Sequence, residues 1–156
     1  MFLKRLTAAA LVCTAFCMIP IDRGAAADPV RSVGIGVLTD MSGPYADAVG
    51  PGSVLAAELA VADFKAADKP DFEIKLLSAD HFNKPDVATN IARSWFDRDG
   101  VDMIVDLTNS AVALAAGKTA TQYDKVAIVT GAGGTVLFNE QCSPNVATWT
   151  FSTYAL

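Results

Sequence analysis

The sequence predicts an α/β fold in which a parallel sheet has helices on both faces. Short apolar segments alternate along the chain with segments whose apolar residues recur at helical spacing. The apolar run at residues 103–105 is continuous, which is typical of a strand covered on both faces. Clusters of Gly, Pro, Ser and Asp separate the segments. Strands and helices in this order form right-handed βαβ units, so we expect a parallel sheet.

Most of the predicted strands are short apolar runs with turn-forming residues nearby, whereas the second, FEIKLLS, partly alternates. The first has the sequence VGIGVL, and the third contains the consecutive apolar residues Met103, Ile104 and Val105. A fully apolar run of this kind fits a strand buried on both faces. The five predicted strands are residues 33–38, 72–78, 101–107, 126–129 and 146–150.

The first predicted helix spans residues 53–65. Val54, Ala57 and Val61 recur there at helical spacing, which predicts one apolar face. Ser53 has a side chain that commonly caps the start of a helix.

The second predicted helix spans residues 86–97 and has an apolar stripe that includes Trp95, which we expect in the core. Pro85 fits its first turn, where the missing N–H costs little. Gly100 is expected to end it. Further helical segments are predicted at residues 111–120 and 135–138.

The N-terminus has the composition of a secretory signal peptide. Lys4 and Arg5 give a basic start, and the apolar run over residues 6–19 is shorter than the roughly 20 residues that span a bilayer. Ala25 and Ala27 supply the small residues that signal peptidase recognises, so we expect cleavage after Ala27. The predicted organisation is a signal peptide over residues 1–27 and an exported domain over residues 28–156.

The cysteines add one open question. Cys13 and Cys17 follow Val12 and Phe16 rather than the small residues that lipidation requires, which favours full cleavage. Cys142 then remains as a lone thiol in an oxidising compartment. It is either a buried free cysteine or the partner of a cysteine in a further segment of chain.

The charge excludes one class of partner. The chain has 17 acidic and 12 basic residues, a formal net charge of −5, and its Lys and Arg residues do not cluster. Nucleic-acid binding depends on clustered positive charge that neutralises phosphates. We therefore expect no nucleic-acid partner.

Three loops after predicted strands are rich in hydroxyl, amide and small side chains. Ligands bind at the carboxyl ends of parallel strands, where small residues expose backbone N–H groups and helix N-termini favour negative groups. A small carboxylate would suit such a site. Taken singly, Asn109, Ser110 and Thr135 could instead be helix caps only. The loops are residues 39–45, 108–111 and 130–135.

Sequence signals for catalysis or a cofactor are weak. His81, the only histidine, follows Asp80 after the second predicted strand and is interpreted as a loop hydrogen-bonding residue rather than a general base. Gly34 and Gly36 lie inside a strand and lack the third glycine of a dinucleotide-binding turn. The glycine-rich segment 131–134 lacks the Lys-Ser/Thr pair of a P-loop. No cofactor, metal site or catalytic residue is predicted.

Three segments together resemble a known family. Residues 35–45 have the sequence IGVLTDMSGPY, residues 100–105 have GVDMIV, and residues 142–145 have CSPN. They resemble the leucine/isoleucine/valine-type (type I) periplasmic solute-binding proteins of ABC transporters, from about Val33 to the last residue. The resemblance implies a two-lobed receptor with hinged α/β lobes around the ligand. This chain is then expected to be an N-terminal fragment that supplies most of lobe one.

The resemblance also implies which residues bind the ligand. In such proteins lobe one holds the ligand's carboxylate through hydroxyls and backbone amides in the loops after strands three and four. A tyrosine lines the mouth of the cleft. The residues implied here are Tyr45, Asn109, Ser110, Ala132, Gly133, Gly134, Thr135 and Tyr154.

Two departures from the family pattern affect the ligand. Relatives often have Ser or Thr where Gly134 stands; either Thr135 substitutes here or that hydroxyl contact is missing. Phe82 and Thr108 stand where some amino-acid receptors carry a disulfide, so that crosslink is absent. Other small carboxylates, including aromatic acids, therefore remain open beside branched-chain amino acids.

The implied function is an extracytoplasmic, periplasmic receptor of an ABC importer. It captures a small carboxylate, delivers it to the permease in the inner membrane and performs no chemistry. A ligand-sensing domain of a signalling or regulatory receptor is an alternative, which a membrane helix and cytoplasmic domain further along the chain would favour. A secreted hydrolase is a third hypothesis, which an activity lost on mutation of His81 would support.

Overall fold

A computed structural model describes residues 31–156; the expected signal peptide and its cleavage site at Ala27 lie outside the described residues. The described chain has an α/β fold with a five-stranded sheet in the order β2-β1-β3-β4-β5, and every neighbouring pair is parallel. The predicted fold class is confirmed. The strands are β1 (Ser32–Thr39), β2 (Glu73–Asp80), β3 (Met103–Asp106), β4 (Val126–Val129) and β5 (Val146–Thr148).

The helices connect these strands and lie on both faces of the sheet. They are α1 (Gly50–Asp68), α2 (Pro85–Ser94) and α3 (Ser110–Gln122), with a π-helical turn at Trp95–Asp99 and a 3-10 turn at Thr135–Leu137. The chain moves from β1 to β2 in one direction along the sheet and from β2 to β3 in the other. Right-handed connections therefore place α1 and α2 on opposite faces.

The main core lies between the sheet and the pair α2 and α3. Leu38, Ile104 and Ala127 contribute to it from three adjacent strands, and all are fully buried. Met103 and Val105, which point to the other face of β3, are only half-buried. The described part of the sheet is thus more fully covered on the face of α2 and α3.

Helix α1 begins earlier than the sequence predicts. It starts at Gly50, has Pro51 in its first turn and has Val49 as its N-cap residue, so Ser53 lies inside the helix. The prediction that Ser53 caps the helix is wrong. Leu55 and Leu59 on this helix remain more than half exposed.

The second predicted helix is divided into two parts. After Ser94 the backbone changes to a π-helical turn, which ends at Gly100 with a left-handed φ of 69°. The predicted helix end at Gly100 is confirmed. Trp95 is only 6% exposed, and a Cβ on Gly36 would overlap its ring. Gly36 therefore allows the indole to pack directly on the sheet, and the predicted core position of Trp95 is confirmed.

Between residues 31 and 156, no helix combines the length and apolar character needed to cross a membrane.

Candidate functional site

The loops with the predicted polar residues meet at the carboxyl edge of the sheet. β1, β3 and β4 are neighbours, so their following loops start side by side. The backbone N–H of Leu107 donates to the carbonyl of Leu38 at 3.1 Å, and that of Thr130 donates to the carbonyl of Asp106 at 3.0 Å. These hydrogen bonds extend the strand pairing into the loops and fix the positions of the loops relative to one another.

Ser110 and Gly134 make the most direct contact between two of the predicted loops. Ser110 is the first residue of α3, and its Oγ accepts a hydrogen bond from the backbone N–H of Gly134 at 3.2 Å. A Cβ on Gly134 would lie 2.6 Å from that oxygen, so the approach depends on glycine. Because Oγ accepts here, the hydroxyl proton of Ser110 is free to be donated to a ligand.

Asn109 caps α3. Its Oδ1 accepts hydrogen bonds from the backbone N–H groups of Ala111 at 2.7 Å and Val112 at 3.4 Å. The cap interpretation of Asn109 is confirmed. A direct contact between Asn109 and a ligand stays a prediction.

The glycine segment after β4 lies beneath the end of the described chain. Ala132 is 2% exposed, and Gly133 is buried. The carbonyl of Gly133 accepts a hydrogen bond from Thr153 N–H at 2.8 Å, and a Cβ on Gly133 would lie 2.6 Å from the carbonyl oxygen of Phe151. Residues 151–153 therefore cover part of this segment.

The remaining predicted site residues lie around this edge with varied exposure. Thr135 opens the 3-10 turn directly after Gly134 and is half-buried. Tyr154 is 89% exposed and follows the covering segment. Tyr45 is 39% exposed and lies in the loop after β1. Their contact with a ligand stays a prediction.

Two carboxylates hold the Tyr45 loop in shape. Asp40, fully buried, accepts hydrogen bonds from the backbone N–H groups of Gly43 and Tyr45, both at 3.0 Å. Asp80 at the end of β2 accepts from Met41 N–H at 3.1 Å and from the Ser42 hydroxyl at 2.6 Å. The loop is thus fixed by a residue at its start and by the neighbouring strand.

These bonds also affect the acidity of Asp80. Burial, the largest single influence, raises the pKa of Asp80. Hydrogen bonds from the Ser42 hydroxyl and the N–H groups of Phe82 and Met41 oppose it, and the pKa ends below its ordinary value of 3.8. Asp80 therefore stays ionised at neutral pH as an acceptor. No sequence pattern assigns this role to Asp80, although it stands beside His81.

A group of buried polar side chains lies at the same edge. His81 is fully buried, and its Nδ1 accepts a hydrogen bond from Asn83 N–H at 3.0 Å, which confirms its interpretation as a loop hydrogen-bonding residue. Asp106 is 3% exposed, and its Oδ1 accepts from the Thr130 hydroxyl at 3.2 Å. Within residues 31–156, the buried polar atoms without a hydrogen-bond partner are Thr39 Oγ1, His81 Nε2, Asn83 Oδ1, Asp106 Oδ2 and Thr108 Oγ1.

The backbone is unusual where this group meets the predicted ligand loop. Asp106 and Leu107 have φ values of 84° and 57°, in the region that non-glycine residues rarely adopt. Such conformations recur where a structure holds a ligand-binding loop against its local preference. They turn the chain from β3 directly into Asn109 and Ser110.

Cys142 and a groove of about 450 Å³ lie apart from these loops. The thiol of Cys142 is free and exposed, so its interpretation as a buried cysteine is wrong. The groove is lined by residues of α3 such as Leu114 and Lys118 and by Val146 at the start of β5. None of the predicted ligand residues lines it. The convergent hydroxyls, amides and helix N-terminus make the sheet edge the better candidate site.

Among residues 31–156, no three or more His, Cys, Asp or Glu side chains are grouped so as to hold a metal ion. What the edge offers is hydrogen bonding: the Ser110 hydroxyl, the backbone of the 132–134 segment and the first turn of α3. These groups suit a small anionic ligand.

Comparison with solved structures finds close relatives. A periplasmic binding protein from Burkholderia mallei is 45% identical, with a TM-score of 0.73 over 80% of this chain and 33% of that chain. A branched-chain amino acid ABC transporter periplasmic ligand-binding protein from Burkholderia xenovorans LB400 is 46% identical, with a TM-score of 0.66 over 72% of this chain and 30% of that chain. The present chain therefore spans about a third of the length of these relatives.

A more distant structure shares the fold. It is a solute-binding protein of an ABC transporter from Rhodopseudomonas palustris BisB5 in complex with 3,4-dihydroxybenzoic acid, 24% identical, with a TM-score of 0.64 over 78% of this chain and 32% of that chain. Comparison with proteins of curated function finds no match. The family model described as periplasmic binding protein matches residues 32–156. The chain belongs to the periplasmic binding protein family, with the type I fold of the solute-binding proteins of ABC transporters.

Proposed function

We propose that this chain supplies most of lobe one of an extracytoplasmic receptor that captures a small carboxylate, such as a branched-chain amino acid, for an ABC importer. The observation that carries the proposal is the bond from Gly134 N–H to Ser110 Oγ. It places a hydroxyl with a free proton at the N-terminus of a 13-residue helix, beside a backbone segment that other groups approach closely because it contains Gly133 and Gly134. Both the proton and the helix N-terminus favour a negative group.

The ligand's carboxylate is proposed to lie between the first turn of α3 and the 132–134 segment. Asn109 secures the helix turn, and Ser110 donates its hydroxyl proton to a carboxylate oxygen. Tyr45 lines the mouth of the ligand cleft from the loop after β1, which Asp40 and Asp80 hold in place. A charge-assisted hydrogen bond of this kind is stronger than one between neutral groups, which favours a carboxylate over an amide.

The other wall of the cleft is assigned to the rest of the protein. The matched part of this chain covers only about a third of the Burkholderia mallei relative, in keeping with a second lobe. Closure of two hinged lobes on the ligand would create a shape that the permease recognises. Residues 1–27 are proposed to direct the protein to the periplasm as a signal peptide cleaved after Ala27.

The ligand class is a small carboxylate with an apolar or aromatic body. One relative is described as a branched-chain amino acid transporter component, and another structure holds 3,4-dihydroxybenzoic acid. Both ligand classes carry a carboxylate, which the hydroxyl and amides of this edge suit. Binding without chemistry is the proposed activity, since the family and fold are those of solute-binding proteins.

A thermal-shift screen of the full-length mature protein tests this proposal. A ligand that binds only the folded state stabilises it by about 2.7 kcal/mol at a concentration 100 times its Kd. The panel pairs each carboxylate with an analogue that lacks the carboxylate: leucine with leucinamide, and 3,4-dihydroxybenzoate with catechol. We expect Tm to rise with one carboxylate and to stay unchanged with its partner.

Variants locate the binding in the same assay. Ser110→Ala should reduce the shift, whereas the exposed Cys142→Ser should preserve it. Equal shifts from a carboxylate and its analogue would contradict carboxylate recognition. A cooperatively folded sample with no shift across a broad panel of small acids would contradict the receptor proposal.

A further inference from the structure

His81 is held in one tautomer by its surroundings. Its Nδ1 accepts the hydrogen bond from Asn83 N–H at 3.0 Å, so Nδ1 carries no proton and neutral His81 carries its proton on Nε2. The side chain is fully buried, and Nε2 has no hydrogen-bond partner within the described residues. A second proton can attach only at Nδ1, the atom that accepts the hydrogen bond from Asn83 N–H.

The turn that His81 holds is strained. Phe82 and Asn83 both have left-handed backbones, with φ of 51° and 54°. Asparagine tolerates this region, but a bulky residue such as Phe82 adopts it only when surrounding contacts enforce it. The contacts are Phe82 N–H to Asp80 Oδ1 at 2.6 Å, Asn83 N–H to His81 Nδ1, and Lys84 N–H to the His81 carbonyl at 2.8 Å.

The turn is linked to the candidate ligand site through Asp80. The same Oδ1 that accepts from Phe82 N–H also accepts from Met41 N–H, and Oδ2 accepts from the Ser42 hydroxyl. Met41 and Ser42 belong to the loop that carries Tyr45. Opening of this turn would therefore remove one of the hydrogen bonds that hold the carboxylate of Asp80, which also fixes this loop.

We propose that His81 is an acid-sensitive latch on the Tyr45 loop. Protonation at Nδ1 turns an acceptor into a donor, so the bond from Asn83 N–H is lost and two N–H groups face each other. The strained turn then relaxes, Asp80 moves with it, and the loop after β1 loosens. The effect on ligand binding rests on the proposed function, but the loosening itself does not.

The charged groups around His81 and its burial determine the pH at which the latch opens. Three carboxylates act on it: Asp40 after β1, Asp80 at the end of β2 and Asp106 at the end of β3. They attract the second proton, but burial is the larger effect and lowers the pKa of His81 below its ordinary value of 6.5. The closed turn therefore holds neutral His81 at neutral pH. A state in which the imidazole reaches water takes up the proton more readily, so acid favours the open turn.

Solution NMR of the full-length protein without ligand tests the latch. The imidazole signal of His81, assigned by its loss in His81→Asn, is followed from pH 7.5 to pH 5. Amide hydrogen exchange of Asn83 and Met41 is measured over the same range and corrected for intrinsic rates. We expect protection of both amides to fall by at least about tenfold, one decade being 1.4 kcal/mol of opening free energy, with the midpoint of the imidazole titration.

Two variants separate the latch from general acid effects. In His81→Asn the side-chain oxygen can accept from Asn83 N–H but does not titrate, so protection should stay constant. Phe82→Gly removes the left-handed strain at an exposed position, so the loss of protection should move to lower pH.

Protection that stays constant while His81 titrates would overturn the proposal. So would a His81 that stays neutral down to acid unfolding, or the same loss of protection in His81→Asn. If His81→Asn does not fold, Phe82→Gly provides the test. A pH midpoint for the loss of amide protection that is the same in Phe82→Gly as in the wild type would overturn the proposal. Because no ligand is present, failure of the receptor proposal would leave this result unaffected.

Discussion

The hydroxyl oxygen of Ser110 lies 3.2 Å from the backbone nitrogen of Gly134 and accepts its hydrogen bond. This contact joins the first turn of α3 to the loop after β4, two segments that are 24 residues apart in the chain. β3 and β4 are parallel neighbours, so their carboxyl ends lie side by side. The absence of a Cβ at position 134 then allows the backbone of Gly134 to come within hydrogen-bonding distance of Ser110 Oγ. The geometry of the proposed carboxylate site depends on this pair.

Gly134→Ala should weaken both the site and, slightly, the fold. The added Cβ would lie 2.6 Å from Ser110 Oγ, so the serine must rotate away and its bond is lost. We expect a cost of about 1 kcal/mol in the free energy of unfolding, measured by urea denaturation, and about a tenfold loss in ligand affinity.

Gly52→Ala is the matched control for Gly134→Ala. Gly52 lies in α1, and a methyl group added there would have no atom within 4 Å outside its own helix turn. Alanine favours helix over glycine, so stability should be unchanged or slightly higher. Equal destabilisation by the two changes would contradict the role of the Ser110–Gly134 contact.

Asn109→Ala should destabilise α3 by about 1 kcal/mol, because the helix loses the cap that Oδ1 gives to Ala111 and Val112. Asn109→Ser keeps a capping oxygen and should restore most of this stability. The pair also separates two roles of Asn109. If ligand affinity recovers together with stability in the serine variant, the residue acts through the helix; if affinity stays low, Asn109 contacts the ligand.

Asp102 should make the fold sensitive to strong acid. Its carboxylate accepts Gly34 N–H at 3.0 Å and Lys125 Nζ at 2.6 Å, and these bonds, Gly34 first, lower the pKa of Asp102 below its ordinary value of 3.8. A lowered pKa in the folded state gives stability that is present above about pH 4 and is lost as pH falls further. Asp102→Asn should lower the urea midpoint at pH 7 and reduce its fall below pH 4.

Asp63→Asn on the exposed surface of α1 serves as the control for Asp102→Asn. We expect it to retain the wild-type dependence of the urea midpoint on pH. An Asp102→Asn profile that matches that of the wild type from pH 7 to pH 2 would contradict the assigned role.

Gly36→Ala should destabilise the core, because the new methyl group would overlap the ring of Trp95. Overpacking a well-filled core costs about 1–3 kcal/mol. The smaller ring in Trp95→Phe should leave room for the methyl group, so the double variant should lose less stability than the sum of the two single changes. Strict additivity in urea denaturation would contradict the contact.

Local sequence patterns were sufficient for the strands but less so for the helix ends. The run at residues 126–129 matches β4 because turn-forming residues bound it on both sides. Ser53 suggests a cap and so predicts too late a start for α1, whereas Pro51 already fits the first turn. The π-helical turn at Trp95–Asp99 arises where the chain leaves α2 for Gly100, and the apolar spacing before it is that of an ordinary helix.

The candidate site was predictable where it depends on small and hydroxyl side chains. The sequence predicts Ser110 and Gly134 in converging loops, and a hydrogen bond joins them in the structure. The supporting carboxylates Asp40 and Asp80 were not predicted. Their roles depend on strand order, since only the adjacency of β1 and β2 brings Asp80 to Met41, and a loop carboxylate is more often solvated.

The most direct test is a crystal structure of the full-length protein with the carboxylate identified by thermal shift. The account predicts a carboxylate oxygen about 3 Å from Ser110 Oγ, at the N-terminus of α3 and beside the 132–134 backbone. A ligand whose carboxylate lies elsewhere, in the groove between α3 and β5 or wholly against the rest of the protein, would contradict it.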